Sequence, residues 1–371
     1  GARVRMPEVI KKYGYPMEEH DVKTKDGYLL RLHRIPGDNN RSSIHTTFPV
    51  LVMHGLHLSS ADFIILGPGK SLAYLLADAG YDVWLGNARG NTYSRNHIHL
   101  DPNSREFWNS DIWHEIGVYD LPATIDYILD KTSSEQLFYI GHSQGTTTFF
   151  VMASEVPEYN KKIRLAINLS PVVFMSHIIS PFFRLLAPIS YLFKNTLSLL
   201  GGFELTPRSE LYTDVIMNAC RDKAITQDIC ANMQFIICGF DSDQLNSVIL
   251  HHTPGGASSM QALHYGQLIF SGKFRQFDYG IKNFIKYKQF TPPDYNLRLV
   301  TAPVVIMYSV NDWLCSIRDM KKLEDILPNV VFKYKVPHPR FNHLDFLYAK
   351  DIKTKITEVV LSQLLTTLRR T

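Results

Sequence analysis

The sequence feature that most constrains the fold is a junction. An apolar strand, Gln136–Ile140, runs straight into Gly141-His142-Ser143-Gln144-Gly145, and a helical stretch, Thr146–Ala153, follows at once. Glycine and serine each make up about 7% of an average protein, so a bare G-x-S-x-G arises by chance in roughly one chain in eight of this length. The flanking strand and helix give the pattern meaning. A serine in a strained turn between them lifts its hydroxyl above the edge of a sheet, and glycines two positions away relieve the crowding across the turn.

The rest of the chain fits such a sheet. Pro49–Met53, Tyr81–Leu85 and Ile163–Leu169 read as buried strands, and Lys70–Ala79 and Tyr119–Leu129 as helices. Asp26-Gly27, between Val22–Lys25 and Tyr28–His33, is a two-residue hairpin signal. Alternating strand and helix signals predict a mostly parallel central sheet with helices on both faces. The alternation stops near Pro171 and resumes at the strand Pro303–Tyr308, followed by Val330–Val336 and an amphipathic helix over Ile352–Leu368. This pattern predicts an α/β-hydrolase core from residues 1–171 and 298–371, with residues 172–297 inserted as a helical cap. Long insertions in surface connections cost little loop entropy.

In such a core the acid and base follow the serine in the order Ser…Asp/Glu…His. Asp312 lies just past the strand Pro303–Tyr308, at the carboxyl edge where sites assemble, and is the expected acid. Asp319 and Asp325, in the following helical stretch, are expected at the surface. His338 and His343 both stand before the last helix, and His343 is favoured because Pro337 and Pro339 stiffen the chain around His338. The expected oxyanion donors are the N–H of Gln144, at a helix start, and that of Leu56, after the strand ending near Met53. His54 and His57 are expected to serve packing or hydrogen bonding.

Composition narrows the partners. Thirty-nine basic and 35 acidic residues are interspersed, for a net charge of +4, which gives no nucleic-acid footprint. Protonating all 15 histidines would bring the charge to +19. Neither His97-Ile98-His99 nor His251-His252 has companions at metal-ligand spacing, so no metal and no cofactor are expected. The apolar stretch Pro181–Leu200 is broken by Arg184, Pro188 and Lys194, which predicts an amphipathic segment and not a membrane span. No signal peptide is visible at Gly1, so the chain is cytosolic or its numbering starts after processing or truncation. Cys220 and Cys230 could close a short loop in an oxidising compartment or remain free thiols. Asn40-Arg41-Ser42 is a glycosylation sequon in a polar loop; Asn168-Leu169-Ser170 falls on a buried strand and is expected to stay unused.

With these residues assembled, the chain resembles the acid lipase family of gastric and lysosomal acid lipases, in particular its insect members. The likeness runs from about Tyr13 to Leu364. It is carried by Tyr15-Pro16, Thr24–Leu30, His54-Gly55-Leu56, Trp84–Arg89 with Gly90-Asn91, Tyr119–Ala123 and Gly141–Gly145. It continues through Thr253-Pro254-Gly255-Gly256, Ser271–Phe274, Asn311-Asp312-Trp313-Leu314 and Asn342-His343-Leu344-Asp345-Phe346.

The resemblance implies a secreted or lysosomal hydrolase of triacylglycerols or sterol esters acting at a lipid–water interface. It implies Ser143, Asp312 and His343 as the triad, with Leu56 and Gln144 at the oxyanion position. It also implies a Cys220–Cys230 disulfide, a free Cys238 and a mobile lid over about 207–239. Departures from the family pattern fall at Ser110-Asp111-Ile112, at Cys315-Ser316 and in the Cys220–Cys230 spacing, none of them on the triad. Two other readings follow from the same residues: an esterase for small or specialised esters, and a catalytically silent lipid carrier.

Overall fold

A computed structural model of the chain describes residues 6–37, 48–110, 112–192, 195–196, 199, 203–205, 237–239 and 255–370. Asn40, Cys220, Cys230, His251, His252 and nearly all of the expected lid lie outside the described residues.

The strands are β1 (Glu18–Lys23), β2 (Tyr28–Ile35), β3 (Pro49–Met53), β4 (Asp82–Leu85), β5 (Asn96–His97), β6 (Leu137–His142), β7 (Ile163–Leu169), β8 (Val304–Tyr308) and β9 (Val330–Lys335). They form one nine-stranded sheet in the order β1-β2-β4-β3-β6-β7-β8-β9, with β5 added on β2. β2 runs antiparallel to β1, β4 and β5, and every pair from β4 to β9 is parallel. The sheet is thus closed by strands from both ends of the chain: β7 pairs with β8 across a gap of more than a hundred residues, Ala166 opposite Val304 and Leu169 opposite Met307.

Strand alternation explains the two layers. Leu51 and Met53 of β3 point into one core with Trp84, Tyr139 and the helices Leu121–Thr132 and Gln144–Glu155. Val50 and Val52 point into the other, with Val83, Phe138 and the helices Leu72–Asp78 and Glu358–Arg369. A strand covered on both faces has no polar side, so β3, β4 and β6 are buried at every position. At the edge, β9 alternates half-buried and exposed residues. Several of the motif runs serve this framework. Arg89, fully buried, donates to Asp120 at 2.8 Å from Nε and to Asp26 at 2.6 Å from Nη1.

Three details differ from expectation. The hairpin connection has three residues, Lys25–Gly27, closed by Thr24 N donating to Tyr28 O. Only Gly27 takes a positive φ, +99°, whereas the type I′ two-residue turn that Asp-Gly favours requires two such residues. The final helix is preceded by a widened π-type turn, Lys353–Thr357. Asp319 is buried: it accepts from His177 N and Ser316 Oγ, both at 2.9 Å, and so anchors the start of the Ile317–Ile326 helix. Asp325 is exposed.

Between β7 and β8 the described helices are Pro181–Leu192, Ser259–Ser271 and the short Asn283–Tyr287. The first buries Phe183, Ala187 and Ser190 against the second and leaves Phe182, Leu185, Ile189 and Leu192 exposed. No helix among the described residues is long and apolar enough to cross a membrane. Asn168 is fully buried, its amide directed at Ala166 O and Val305 O, so its sequon is inaccessible in the folded chain.

Candidate active site

Ser143 stands between β6 and the helix that starts at Gln144, with φ +52° and ψ −117°. A non-glycine residue holds such a conformation only when its surroundings impose it. Here Ser143 N donates to Leu169 O at 3.1 Å, and Ser143 O accepts from Thr146 N at 2.9 Å. The two glycines are required by close approach. A Cβ on Gly141 would lie 2.8 Å from the Gly145 carbonyl carbon, and one on Gly145 would lie 2.4 Å from Met53 O.

Two loops bring polar groups to this hydroxyl. His343 Nε2 is 2.8 Å from Ser143 Oγ. His343 Nδ1 faces the Asp312 carboxylate, 3.0 and 3.1 Å from its two oxygens. Asp312 stands four residues past β8, and its Oδ1 also accepts from Leu314 N and Cys315 N at 2.9 Å each. Burial pushes the Asp312 carboxyl up, but the His343 imidazole and its hydrogen bonds outweigh burial and hold it below the usual carboxylate value. His338 stays apart from this group; its Nδ1 accepts from Arg340 N at 3.2 Å.

The sequence reading missed three contributors. Ser170, in the first position after β7, has φ +50° and donates from Oγ to Asp312 Oδ2. The same Oγ is 2.7 Å from His343 Nδ1. A polar residue ending an apolar strand beside the acid's strand was the available signal. Cys238 O accepts from both His343 N and Trp313 N, at 3.4 Å each, and Gly239 O accepts from Asn342 Nδ2 at 3.0 Å. The end of the expected lid is therefore bonded to both the loop that carries Asp312 and the loop that carries His343. Gln144 Nε2 donates to Gln261 Oε1 at 2.7 Å, which ties the neighbour of Ser143 to the Ser259–Ser271 helix. No local pattern marks either of these contacts.

The candidate oxyanion loop lies on the other side of Ser143. A Cβ on Gly55 would come within 3.0 Å of Ser143 Cβ, so this backbone sits directly against Ser143. Leu56 follows, half-buried against the core. Gln144 opens its helix, where N–H groups lack intrahelical acceptors and the helix dipole favours negative charge. Gly255 N donates to His57 O at 2.5 Å, and a Cβ on Gly255 would stand 2.5 Å from Leu58 O, so the backbone at Gly255 packs directly on this loop.

Burial disfavours a charge on three histidines near Ser143, pushing His54 and His57 down to about 4 and His142 down to about 3. His54 Nε2 instead accepts from Ala88 N at 3.0 Å. His33 and His114 are likewise lowered by burial to about 4. A charge of +19 is therefore out of reach in mild acid. Among the described residues no cluster of His, Cys, Asp or Glu could hold a metal ion, and Cys238 and Cys315 are buried free thiols.

The parallel sheet, the strained serine between strand and helix, and the array of Ser143, His343 and Asp312 at its carboxyl edge define an α/β-hydrolase fold. The family models for the α/β-hydrolase lipase region and the α/β hydrolase fold match residues 6–67 and 49–197. Among solved structures, a soluble variant of monoglyceride lipase from Saccharomyces cerevisiae superposes with a TM-score of 0.55 at 14% identity, covering 94% of this chain and 96% of that one. Lipase 3 of Drosophila melanogaster is 44% identical over 96% of this chain and 92% of its own length. Gastric triacylglycerol lipase of Rattus norvegicus is 38% identical over 98% of this chain and 92% of its own. Lysosomal acid lipase/cholesteryl ester hydrolase of Homo sapiens is 36% identical over 97% and 90%. The chain belongs to the acid lipase family of gastric and lysosomal acid lipases.

Proposed function

We propose that this protein is a serine hydrolase that cleaves carboxylic esters of neutral lipids, triacylglycerols or sterol esters, through an acyl-enzyme on Ser143. The observation that carries the reading is the continuous line of contacts from Ser143 Oγ to His343 Nε2 and from His343 Nδ1 to Asp312. In this reading His343 takes the Ser143 proton as Oγ attacks the ester carbonyl. The tetrahedral oxyanion is met by the N–H groups of Leu56 and Gln144. His343 then protonates the departing alcohol, and water, deprotonated by the same imidazole, releases the fatty acid. Asp312 holds the imidazole tautomer and stabilises its charged form.

Relatives named for triacylglycerol and cholesteryl ester hydrolysis support the substrate class. Residues 172–297 act as a cap in this reading, with a lid over about 207–239. Such a cover excludes water from long acyl chains. Names that point to stomach and lysosome support a secreted or lysosomal location, where Cys220–Cys230 would oxidise and Asn40 would be glycosylated. Peptide mapping without reduction tests both modifications.

The decisive experiment is Ser143→Ala, assayed on tributyrin and cholesteryl oleate emulsions with the melting temperature as a folding control. The expected loss is on the order of 10⁴-fold or more. A folded variant within tenfold of the parent would refute the acyl-enzyme. The ratio of the two parent rates separates glyceride from sterol ester.

A further inference from the structure

We infer that the cap carries a docking tip for anionic lipid surfaces at residues 280–290, apart from the catalytic residues. The segment from Tyr279 to Pro293 holds Lys282, Lys286 and Lys288 and no acidic residue. Within it Ile281, Ile285 and Phe290 are 76%, 73% and 81% exposed, and Phe284 is 52% exposed. Isolated exposed apolar residues are ordinary, but four large ones in ten residues form a patch that needs an occupant.

The tip is shaped to present them. Asn283, almost fully buried, ties its two ends together: its Oδ1 accepts from Tyr279 N at 2.8 Å and its Nδ2 donates to Phe290 O at 2.9 Å. Asp278 at the base turns its carboxylate inward, accepting from Gly280 N and Asn283 Nδ2 at 2.8 Å each. Tyr287 OH donates to Phe277 O at 2.8 Å. These polar groups are satisfied inside the tip, so the aliphatic and aromatic side chains can leave water without stranding them.

The charge selects the occupant. An apolar tip whose sequence carries three lysines and no acidic residue, with Lys288 exposed and Lys286 Nζ donating to Tyr279 OH at 2.9 Å, fits an interface in which acyl chains lie beneath negatively charged headgroups. The tip is also mechanically connected to the site. Gln267 bonds the Asp278 backbone through both its amide atoms, at 2.8 and 2.9 Å, and Gln267 shares a helix with Gln261, the partner of Gln144. Six residues of helix place these two attachments about 9 Å apart along the axis. A tip seated in a lipid surface would hold the cap side of the site close to that surface. This role deepens the neutral-lipid reading, yet it concerns binding and stands even if the substrate is another ester.

The test is co-sedimentation with phosphatidylcholine vesicles with and without phosphatidylglycerol. It compares the parent chain, Ile281→Ser/Ile285→Ser/Phe290→Ser, and Lys282→Glu/Lys288→Glu. Hydrolysis of a soluble short-chain ester reports folding and catalysis separately. The expected result is at least tenfold weaker binding to anionic vesicles for both variants. The soluble-ester rate should stay unchanged, and added salt should weaken parent binding. Equal affinity of parent and variants for anionic vesicles overturns the inference. So does a parent that forms a dimer in size-exclusion chromatography which the serine variant abolishes, because the patch would then belong to a second copy.

Discussion

Ser170 shows how a residue can stand at the candidate site with only a faint signal in sequence. Its hydroxyl donates to the Asp312 carboxylate while lying beside His343 Nδ1. Removing that donor leaves the buried carboxylate with less support, and hydrogen bonds to charged groups contribute ~1.5–3 kcal/mol. Ser170→Ala is expected to lower kcat about ten- to hundredfold with KM nearly unchanged. It should also shift the acid limb of the rate profile to higher pH, because Asp312 would protonate more easily. A kcat drop with an unmoved acid limb would assign Ser170 to packing alone. The contact group of Ser143, His343 and Asp312 was legible because chain order and loop position can be read from sequence, with the stiffness around His338 and the family resemblance choosing between His338 and His343. Ser170 was not, since its meaning comes from β7 lying beside β8, a pairing that spans the whole intervening segment.

At the scale of elements, apolar runs located β3 and β7 to the residue, because strands buried on both faces have no competing pattern. The hairpin was expected with a loop one residue too short, and Asp319 was expected at the surface, since loop length and burial depend on partners that local sequence does not show. The junction of Ile237–Gly239 with the Asp312 and His343 loops escaped notice for the same reason. Gly239 has φ +116°, and a Cβ there would fall 2.2 Å from Asn311 O, one residue before Asp312. Gly239→Ala is therefore expected to push the Asp312 loop away from His343. Steady-state kinetics should show kcat falling by more than about tenfold, the scale expected when a positioned group moves by an ångström. Gly14→Ala is the matched control. Gly14 also has positive φ, +82°, but open space around its would-be Cβ. It should cost only about 1 kcal/mol of stability and leave kcat intact. If both variants lose stability alike and keep activity, the junction does not position the site.

For the whole molecule, the join between sheet and intervening segment carries a pH dependence that no reading of composition could give. Glu115 follows Trp113, which stacks on His264 of the Ser259–Ser271 helix at 3.6 Å. The Glu115 Oε2 atom is sealed from solvent without a hydrogen-bond partner. Burial pushes this carboxyl up to about 7, against the opposing pull of Lys286 and Arg89. Tyr279, Tyr287 and Tyr295 have their own ionisation raised by burial and by Glu115.

The sign follows from linkage. The folded chain binds the Glu115 proton more tightly than the unfolded chain, whose value is 4.5. Below that value both states are protonated and nothing is lost. Stability then falls as pH rises toward about 7, and above it the full penalty is present. A shift of that size corresponds to at most about 3.5 kcal/mol, since each unit is worth about 1.4 kcal/mol. Glu115→Gln keeps the shape and removes the titration. Its stability relative to the parent should therefore climb between about pH 4 and pH 8, seen as a gain in melting temperature or denaturation midpoint at the alkaline end only. A parent–variant difference that stays flat across this range would place Glu115 in contact with water. By the same linkage, mild acid steadies this join relative to neutral pH.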